Sequence, residues 1–290
     1  MNDKLAGIQN ICAIITPFSK TGEKIDHNDH ERHLHWLKQN GVQAIVSLGT
    51  TGESATIPFG EHTKTITDVV HYSPLPVIAG AGANSTDEAI HLTEQAERSG
   101  AMAILSVTPY YNKPNQEGLF RHYAKIYKCT GLPVLLYNVP NRTKVNLEIN
   151  TVLRLRDKFH NFAGIKEASD NLAAVQKYIC EGVPVYCGED ALNFVMLCLG
   201  AKGVISVVSN FAPTIVMSLI HEVQKNRLTT ARLINNQMVG LAKMAFIDTN
   251  PIPTKFICSK LGFCENSLRL PLTILSKEKQ RIVLKLLKNI

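Results

Sequence analysis

Eight short apolar runs recur along the chain, and they are rich in β-branched residues. Each run is almost continuously apolar rather than alternating with polar residues, a pattern typical of parallel strands buried on both faces. The runs therefore predict eight parallel strands separated by other elements. They begin near Ile11, Gln43, Pro76, Ala101, Pro133, Phe162, Pro184 and Gly203.

The segments between the runs have the periodicity of helices. In residues 26–40, Leu34 and Leu37 fall on one helical face. Asp26 is a favourable N-cap for that helix, and Gly41 is a stop signal. Eight strand–helix units in about 220 residues predict an α/β fold, the (β/α)8 or TIM barrel.

A doubly wound nucleotide-binding sheet is the main alternative architecture. The first run ends in Thr16-Pro17-Phe18, without the glycine-rich turn that such a sheet places after its first strand. The segment 80–85 follows the third run but lacks the third glycine of the dinucleotide fingerprint. We therefore expect neither this architecture nor bound NAD.

Beyond about residue 224 the pattern changes to helices only. We expect a barrel catalytic domain over residues 1–223 and a small C-terminal helical domain over residues 224–290. No segment between them is long or polar enough to make the two parts independent. The expected helices run from Leu228 to Phe246 and from Ser276 to Ile290, with Pro251 and Pro253 as breaks.

The last of these helices carries an apolar stripe. An amphipathic helix must bury such a stripe, so we expect it to pack on the barrel or on another subunit. The stripe consists of Ile282, Val283, Leu286, Leu287 and Ile290.

The composition is that of a soluble globular protein, with 290 residues of which 45% are hydrophobic and 19% charged. No apolar run approaches the roughly 18 residues that span a bilayer, and the first residues do not resemble a signal peptide. The seven cysteines form no Cys-x-x-Cys pair, and several lie in apolar runs. We therefore expect a cytoplasmic protein with reduced thiols and no membrane partner.

The net charge of +7 raises the question of nucleic acid. The basic residues are scattered, with no dense block and no interleaved aromatic residues, so we expect no nucleic-acid partner. His27, His30, His33 and His35 fall together on the first helix. They lie far from any strand end and lack a cysteine or carboxylate partner set, so we expect a solvated helix face and no metal site.

In a barrel of this kind, function gathers where strands end and loops begin. The strand ends here supply hydroxyls, phenols, an arginine and a lysine, which predicts neither a metal site nor the carboxylate pair of a glycoside hydrolase. They read Gly49-Thr50-Thr51-Gly52-Glu53, Thr108-Pro109-Tyr110-Tyr111, Tyr137-Asn138-Val139-Pro140-Asn141-Arg142, Gly164-Ile165-Lys166 and Gly188-Glu189-Asp190.

Lys166 ends the sixth apolar run, at the mouth of a buried strand. An amine that is half in an apolar interior and half in a cleft is favoured in its neutral form, which imine formation needs. Most strand-end lysines are simply solvated. The position of Lys166 alone leaves both interpretations open.

Three motifs at successive strand ends closely resemble the dihydrodipicolinate synthase family, within the pyruvate-dependent class I aldolases. They are Gly-Thr-Thr-Gly-Glu-Ser at 49–54, Tyr-Asn-Val-Pro at 137–140 followed by Arg142, and Gly-Ile-Lys-Glu-Ala at 164–168. The resemblance extends from the first strand to the C-terminal helices. It implies condensation of pyruvate with L-aspartate 4-semialdehyde to 4-hydroxy-tetrahydrodipicolinate, the first committed step of diaminopimelate and L-lysine biosynthesis.

The resemblance also implies catalytic roles. Lys166 would attack the keto carbon of pyruvate, and the imine would become an enamine without any cofactor. Tyr137, Thr51 and Tyr111 match the proton relay of the family, whose members must both donate and accept protons. In the family the residue matching Tyr111 reaches in from a neighbouring subunit, so a homo-oligomer is implied, with a tetramer built as a dimer of dimers expected.

Substrate-binding positions follow from the same resemblance. Thr50 would hold the pyruvate carboxylate, and backbone groups of Gly188 and Ile205 would line the pocket. Arg142 would bind the semialdehyde carboxylate and help to position Tyr111, a task that suits a planar bidentate donor.

Family members inhibited by L-lysine bind this effector at the interface of a tight dimer. Phe59 stands where sensitive members often carry histidine, so we expect weak or absent lysine binding. Lys144 replaces a glycine that is common in the family, so the loop near Arg142 is expected to differ slightly. The matching allosteric positions are Ser54, Ala55, His62, Asn84, Glu88 and Tyr110.

Two rival functions remain at this stage. One is another imine-forming aldolase, an N-acetylneuraminate lyase or a keto-deoxy sugar acid aldolase, which Lys166 and Tyr137 cannot distinguish. The pairs Thr50-Thr51 and Tyr110-Tyr111, together with Arg142, favour the synthase. The other rival is a non-catalytic barrel that binds a keto acid or an amino acid, but a pure binder has no need of a buried nucleophile.

Overall fold

The computed structural model describes residues 4–287. Eight parallel strands close into a barrel in the order of the sequence, each paired with the next and β8 paired with β1. The predicted TIM barrel is therefore confirmed, and the strands begin within about two residues of the predicted positions. The strands are β1 Asn10–Ala13, β2 Ala44–Ser47, β3 Val77–Gly80, β4 Ala103–Val107, β5 Val134–Asn138, β6 Phe162–Glu167, β7 Val185–Cys187 and β8 Gly203–Ser206.

Helices follow the strands and continue after the barrel is complete. Within the described residues they are α1 His27–Gln39, α2 Phe59–Tyr72, α3 Thr86–Arg98, α4 Gln116–Cys129, α5 Pro140–Thr143, α6 Ile149–Lys158, α7 Leu172–Cys180, α8 Asn193–Leu199, α9 Pro213–Gln224, α10 Leu228–Ala245, α11 Ile252–Lys260 and α12 Lys277–Leu287. None of them is long and apolar enough to cross a membrane.

The start and stop of α1 match the sequence prediction. The side chain of Asp26 accepts a hydrogen bond from the backbone N–H of Asp29, which caps the helix. Gly41 follows the helix in the left-handed region, with φ of 89°. Leu34 and Leu37 are both fully buried.

Two apolar layers surround the strands. Alternate residues of each strand point into the barrel, where Ile11, Leu135 and Tyr186 belong to one packed cluster. The other residues pack outward against the helices. The outer cluster also contains Met238 and Phe256 of the C-terminal helices, so the helices after α9 share a core with the barrel. The domain boundary at residue 224 stays a prediction.

The C-terminal stripe is only partly buried in the single chain. Val283 is completely buried and Leu287 packs against the outer core. Ile282 and Leu286 are 43% and 41% exposed, so the barrel does not cover these two residues, and their burial against another subunit stays a prediction. Ile290 lies outside the described residues.

One proline was misjudged from the sequence. Pro253 lies in the first turn of α11 instead of breaking the chain. Proline is tolerated there because a first-turn N–H has no intrahelical partner in any case.

Two histidines of α1 are buried, so the expectation of a solvated helix face is wrong for them. His30 and His33 have no exposed surface, whereas His35 is exposed. The Nε2 of His33 hydrogen-bonds the Asn210 carbonyl at 2.8 Å, and its ring stacks on Phe263. Burial lowers the pKa of His30 to about 3 and that of His33 to about 4. Within residues 4–287, no three His, Cys, Asp or Glu side chains form a group that could hold a metal ion.

These histidines predict a loss of stability in mild acid. Both are neutral in the fold but protonate in the unfolded chain below its ordinary pKa of 6.5. The stability that they contribute is present above that pKa and is lost as the pH falls towards the folded pKa values. At about pH 5 we expect a loss of about 2 kcal/mol for each histidine.

The matched variants for this prediction are His30→Gln and His35→Gln. His30→Gln should reduce the fall in unfolding free energy between about pH 7.5 and pH 5, measured by denaturant titration. His35→Gln removes an exposed histidine and should leave the fall unchanged. Equal falls in both variants would contradict the assignment.

Candidate active site

The position of Lys166 depends on an irregularity in β6. Val134 pairs with Phe162, but the next residue, Leu135, pairs with Gly164, so Ala163 is skipped. A one-residue bulge reverses the alternation of side chains along a strand. Phe162 therefore faces the outer layer, and after the bulge Lys166 lies beside inward-facing Tyr137.

Gly164 makes this bulge possible. Its φ of 123° is in a region that L-residues with a side chain rarely adopt. A Cβ at this position would lie 2.3 Å from the carbonyl oxygen of Pro184. The glycine in the Gly-Ile-Lys sequence is therefore required by the backbone that directs Lys166 inward.

Lys166 is enclosed by the barrel. It is 5% exposed, and its Nζ lies 4.3 Å from the centre of the Tyr137 ring. A Cβ on Gly188 would lie 2.8 Å from Lys166 Cε, so the glycine leaves room for the lysine chain. The amine is thus held against a phenol at the top of the barrel.

The lysine opens into an inner cavity of about 180 Å³. The structure brings most of the predicted catalytic and substrate-binding residues to its wall. Ile205 and Tyr111 are not part of it: Ile205 packs inside the barrel while Val207 lines the cavity, and Tyr111 is exposed. The predicted residues at the wall are Lys166, Tyr137, Thr50, Thr51, Arg142 and Gly188.

Thr51 is held by a residue from the C-terminal part. The Nδ2 of Asn250 donates to the Thr51 hydroxyl at 3.0 Å, and both residues are buried. Two residues further on, Glu53 forms a fully buried ion pair of 2.6 Å with Lys255 of α11. The strand-end loop 49–54 is therefore attached to the C-terminal helices at two points.

Arg142 lies in the short helix α5 after β5. Its Nη2 donates to the backbone carbonyl of Asn250 at 3.0 Å, and the side chain lines the inner cavity. Lys144, which ends this helix, adopts the left-handed region with φ of 59°. This backbone explains why glycine suits the position, since a side chain is strained there.

Tyr111 is the predicted catalytic residue that the single chain does not bring to the cavity. It is 90% exposed and has φ of 75°. Its neighbour Tyr110 is 38% exposed. In residues 4–287, no hydrogen bond or ring contact connects Tyr111 with Lys166.

A second, outer cavity of about 590 Å³ lies beside the first. It collects five of the six predicted effector positions, namely Ser54, Ala55, His62, Glu88 and Tyr110. Asn84 lies beside them and donates to the Tyr110 carbonyl at 3.2 Å. Phe59 also lines this cavity and is 48% exposed.

Two of these predicted effector positions have shifted pKa values. Burial lowers the pKa of His62, whose Nε2 meets the Gly80 carbonyl at 2.9 Å. Burial and the nearby Glu88 raise the pKa of the Tyr110 phenol. Burial therefore favours the neutral form of His62, and Glu88 supplies a carboxylate to the wall of the cavity.

The sequence predicted no functional role for several residues of the inner cavity, among them Phe246, Asn250 and Glu189. Phe246 and Asn250 come from the C-terminal part, and Glu189 follows Gly188. Burial, followed by the charge of Asp190, raises the pKa of Glu189. The position of Glu189 at a strand end could have indicated a functional role, but no local sequence pattern marks Phe246 or Asn250.

Comparisons with known proteins agree on one family. The model of the Dihydrodipicolinate synthetase family matches residues 5–290. A 4-hydroxy-tetrahydrodipicolinate synthase from Methanocaldococcus jannaschii is 43% identical over 281 residues, which is 96% of each chain.

Solved structures give the same result. A chloride-inhibited dihydrodipicolinate synthase from Acinetobacter baumannii, complexed with pyruvate, superimposes with a TM-score of 0.93 at 38% identity, covering 97% of this chain and 98% of that one. A dihydrodipicolinate synthase from Cyanidioschyzon merolae with lysine bound gives 0.93 at 35% identity and covers 97% of both chains. The chain therefore belongs to the dihydrodipicolinate synthetase family.

Proposed function

We propose that this protein condenses pyruvate with L-aspartate 4-semialdehyde to 4-hydroxy-tetrahydrodipicolinate, through an imine on Lys166. The observation that carries this proposal is a buried amine beside a phenol, in a cavity whose other wall supplies paired threonine hydroxyls and an arginine. The amine supplies the nucleophile and the arginine supplies recognition of a second carboxylate. The family of the chain and the names of its relatives support the same reaction.

The first half of the reaction activates pyruvate. Lys166 Nζ forms a bond to the keto carbon, and the keto oxygen leaves as water after two proton transfers. The cationic imine then accepts the electron pair released when a methyl proton is removed, and it becomes an enamine. The imine is the electron sink for this step, so the chemistry that we propose uses no cofactor.

The second half forms the product. The enamine carbon bonds to the aldehyde carbon of the semialdehyde, and the aldehyde oxygen is protonated. The amino group of the added chain then attacks the imine carbon, which closes the ring and breaks the bond to Lys166 Nζ. The free amine of the lysine is restored for the next cycle.

These proton transfers need groups that both donate and accept. The contact of Tyr137 with Lys166 supports this role for the phenol, and Thr51 lines the same cavity. We assign the third position to Tyr111 of the partner subunit in a homo-oligomer, a dimer of dimers. The 90% exposure of Tyr111 in the single chain supports this assignment, because an exposed phenol at a strand end is available to a neighbour.

We assign substrate binding to the polar groups at the wall of the inner cavity. Thr50 supplies a hydroxyl for the pyruvate carboxylate, and Arg142 a planar guanidinium for the semialdehyde carboxylate. Gly188 allows a close approach beside Lys166. A sialic acid or sugar acid lyase would use the same lysine, but Thr50, Thr51 and Arg142 around one small cavity favour the shorter, zwitterionic substrate.

The outer cavity is the proposed site of an L-lysine effector. Glu88 offers a carboxylate to an ammonium group, and Tyr110 offers a hydroxyl. Phe59 presents an apolar ring where a polar group would be needed, so we propose that lysine binds weakly. We place the whole reaction in the cytoplasm, together with the other enzymes of amino-acid biosynthesis.

The imine can be trapped directly. Incubation with pyruvate and borohydride should reduce it to a stable adduct, and peptide mass spectrometry should locate the adduct on Lys166. Lys166→Met should abolish the adduct and the condensation. Lys202→Met, at an exposed lysine just before β8, should retain both. An adduct on any other lysine would refute the mechanism.

Arg142 should control affinity for the semialdehyde. Arg142→Lys keeps the positive charge but loses the bidentate fork, so KM for the semialdehyde should rise about tenfold or more. KM for pyruvate should change much less. Arg154→Lys, on the exposed face of α6, is the matched control and should change neither value. Equal increases in both KM values for Arg142→Lys would contradict its assigned role.

Lysine sensitivity should be low and should depend on residue 59. Initial rates measured against added L-lysine should show little inhibition below about 1 mM. Phe59→His should increase the inhibition, because the imidazole can accept or donate a hydrogen bond in the outer cavity. Leu233→His, at an exposed position of α10, should have no effect. Strong inhibition of the unmodified protein at sub-millimolar lysine would overturn this expectation.

A further inference from the structure

Asn250 contacts both Thr51 and Arg142 at the wall of the inner cavity. Its side-chain Nδ2 donates to Thr51 Oγ1 at 3.0 Å, and its backbone carbonyl accepts from Arg142 Nη2 at 3.0 Å. The residue is 5% exposed and lines both cavities. One residue of the C-terminal part thus contacts the relay hydroxyl and the carboxylate-binding arginine.

The orientation of the Asn250 amide is fixed at its other end. Its Oδ1 accepts from the Thr254 hydroxyl at 3.3 Å, which leaves Nδ2 directed at Thr51. Thr254 is one turn along α11, and the next residue, Lys255, forms the buried ion pair with Glu53. The helix therefore holds the amide against the loop that carries Thr51.

An amide nitrogen can only donate, so this contact prevents the Thr51 hydroxyl from pointing its proton at Asn250. The Thr51 oxygen must accept from Asn250, and its own proton is then free to point into the cavity, towards the other members of the relay. A hydroxyl whose direction is fixed before the substrate arrives does not have to reorganise during proton transfer.

We propose that Asn250 is a positioning residue that fixes Thr51 as the proton donor of the relay while its backbone carbonyl orients Arg142. The inference rests on the function proposed above. It assigns the two tasks to different parts of one residue. A side-chain substitution should therefore disturb proton transfer and spare the carbonyl that holds Arg142.

Two substitutions of different character test this proposal. Asn250→Asp has the same shape but replaces the donor by an acceptor, so Thr51 must donate to it and cannot donate to the relay. Asn250→Ala removes the donor and leaves the hydroxyl free to rotate. At about pH 8 the rate of imine formation from pyruvate, measured by borohydride quenching, should fall roughly tenfold for Asn250→Ala and roughly a hundredfold for Asn250→Asp.

The order of these rates separates positioning from packing. A residue that only fills space would tolerate the aspartate, which has the same shape, better than the alanine. A rate for Asn250→Asp equal to or above that for Asn250→Ala would overturn the proposal. Melting temperatures identify loss of the fold, and either variant alone still gives a rate to compare with the unmodified protein.

The pH dependence supplies a second readout. A protonated carboxyl group can donate as the amide does, so the rate of Asn250→Asp relative to the unmodified protein should rise as the pH falls. In a Thr51→Val background the same substitution should have little effect at any pH, because its target is gone. A relative rate that is independent of pH, or a full effect in the Thr51→Val background, would contradict the proposal.

The imine readout keeps this inference separate from the proposed function. If the unmodified protein traps pyruvate but does not consume the semialdehyde, the proposed reaction fails, and the Asn250 comparison remains valid for imine formation. If it consumes both substrates and the Asn250 variants match its rates, only the inference fails. In the active variants, KM for the semialdehyde should stay within about threefold of the unmodified value.

Discussion

A single skipped residue in β6 turns Lys166 into the barrel, and the whole candidate active site depends on this orientation. If Ala163 paired in register, Ile165 would face the barrel interior and Lys166 would face the helices. An ammonium group in that outer layer would be buried among apolar side chains at a cost of several kcal/mol. The bulge removes this conflict and turns the lysine towards Tyr137. The Gly164 backbone that permits the bulge is therefore as much a part of the site as the lysine itself.

The loop after β2 depends on a second constraint, the buried pair of Glu53 and Lys255. Burial lowers the pKa of Lys255 and the neighbouring carboxylate opposes this shift; the ammonium also lies 3.8 Å from the centre of the Phe18 ring. A buried ion pair adds little net stability, but removal of one partner costs about 3–5 kcal/mol because the other charge is left alone. The main effect of the pair is thus to fix the position of the loop after β2 relative to α11. The ion pair sets the distance between α11 and the loop. The hydrogen bond between Asn250 and Thr51 joins the same two parts of the chain.

The sequence predicted the parts of the site that depend on strand ends, and it missed the parts that depend on distant contacts. Thr50, Tyr137, Arg142 and Lys166 each lie at or just after the end of an apolar run, so the barrel brings them to one rim, and the bulge in β6 then turns Lys166 inward. Asn250 is 199 residues from Thr51 in the chain, and no periodicity encodes that approach. The buried histidines could have been found, because positions 30, 33, 34 and 37 have the spacing of one helical face. The prediction followed the general tendency of histidine to be solvated instead of that spacing, and it was therefore wrong for His30 and His33.

The two cavities share part of their walls, and this determines how the outer one can act on the inner one. Thr50, Arg142 and Asn250 line both. A molecule that filled this shared part of the outer cavity would contact Arg142 and Asn250, the residues to which we assign substrate binding and positioning of the relay. Coupling between the two cavities does not require a long pathway. A displacement of Arg142 would change its hydrogen bond to the Asn250 carbonyl. A shift of Asn250 would in turn change the hydrogen bond that its side chain donates to Thr51. An effector that displaced Arg142 would have to break its hydrogen bond to Asn250, and the influence of that effector would be limited by how strongly it prefers the displaced arrangement.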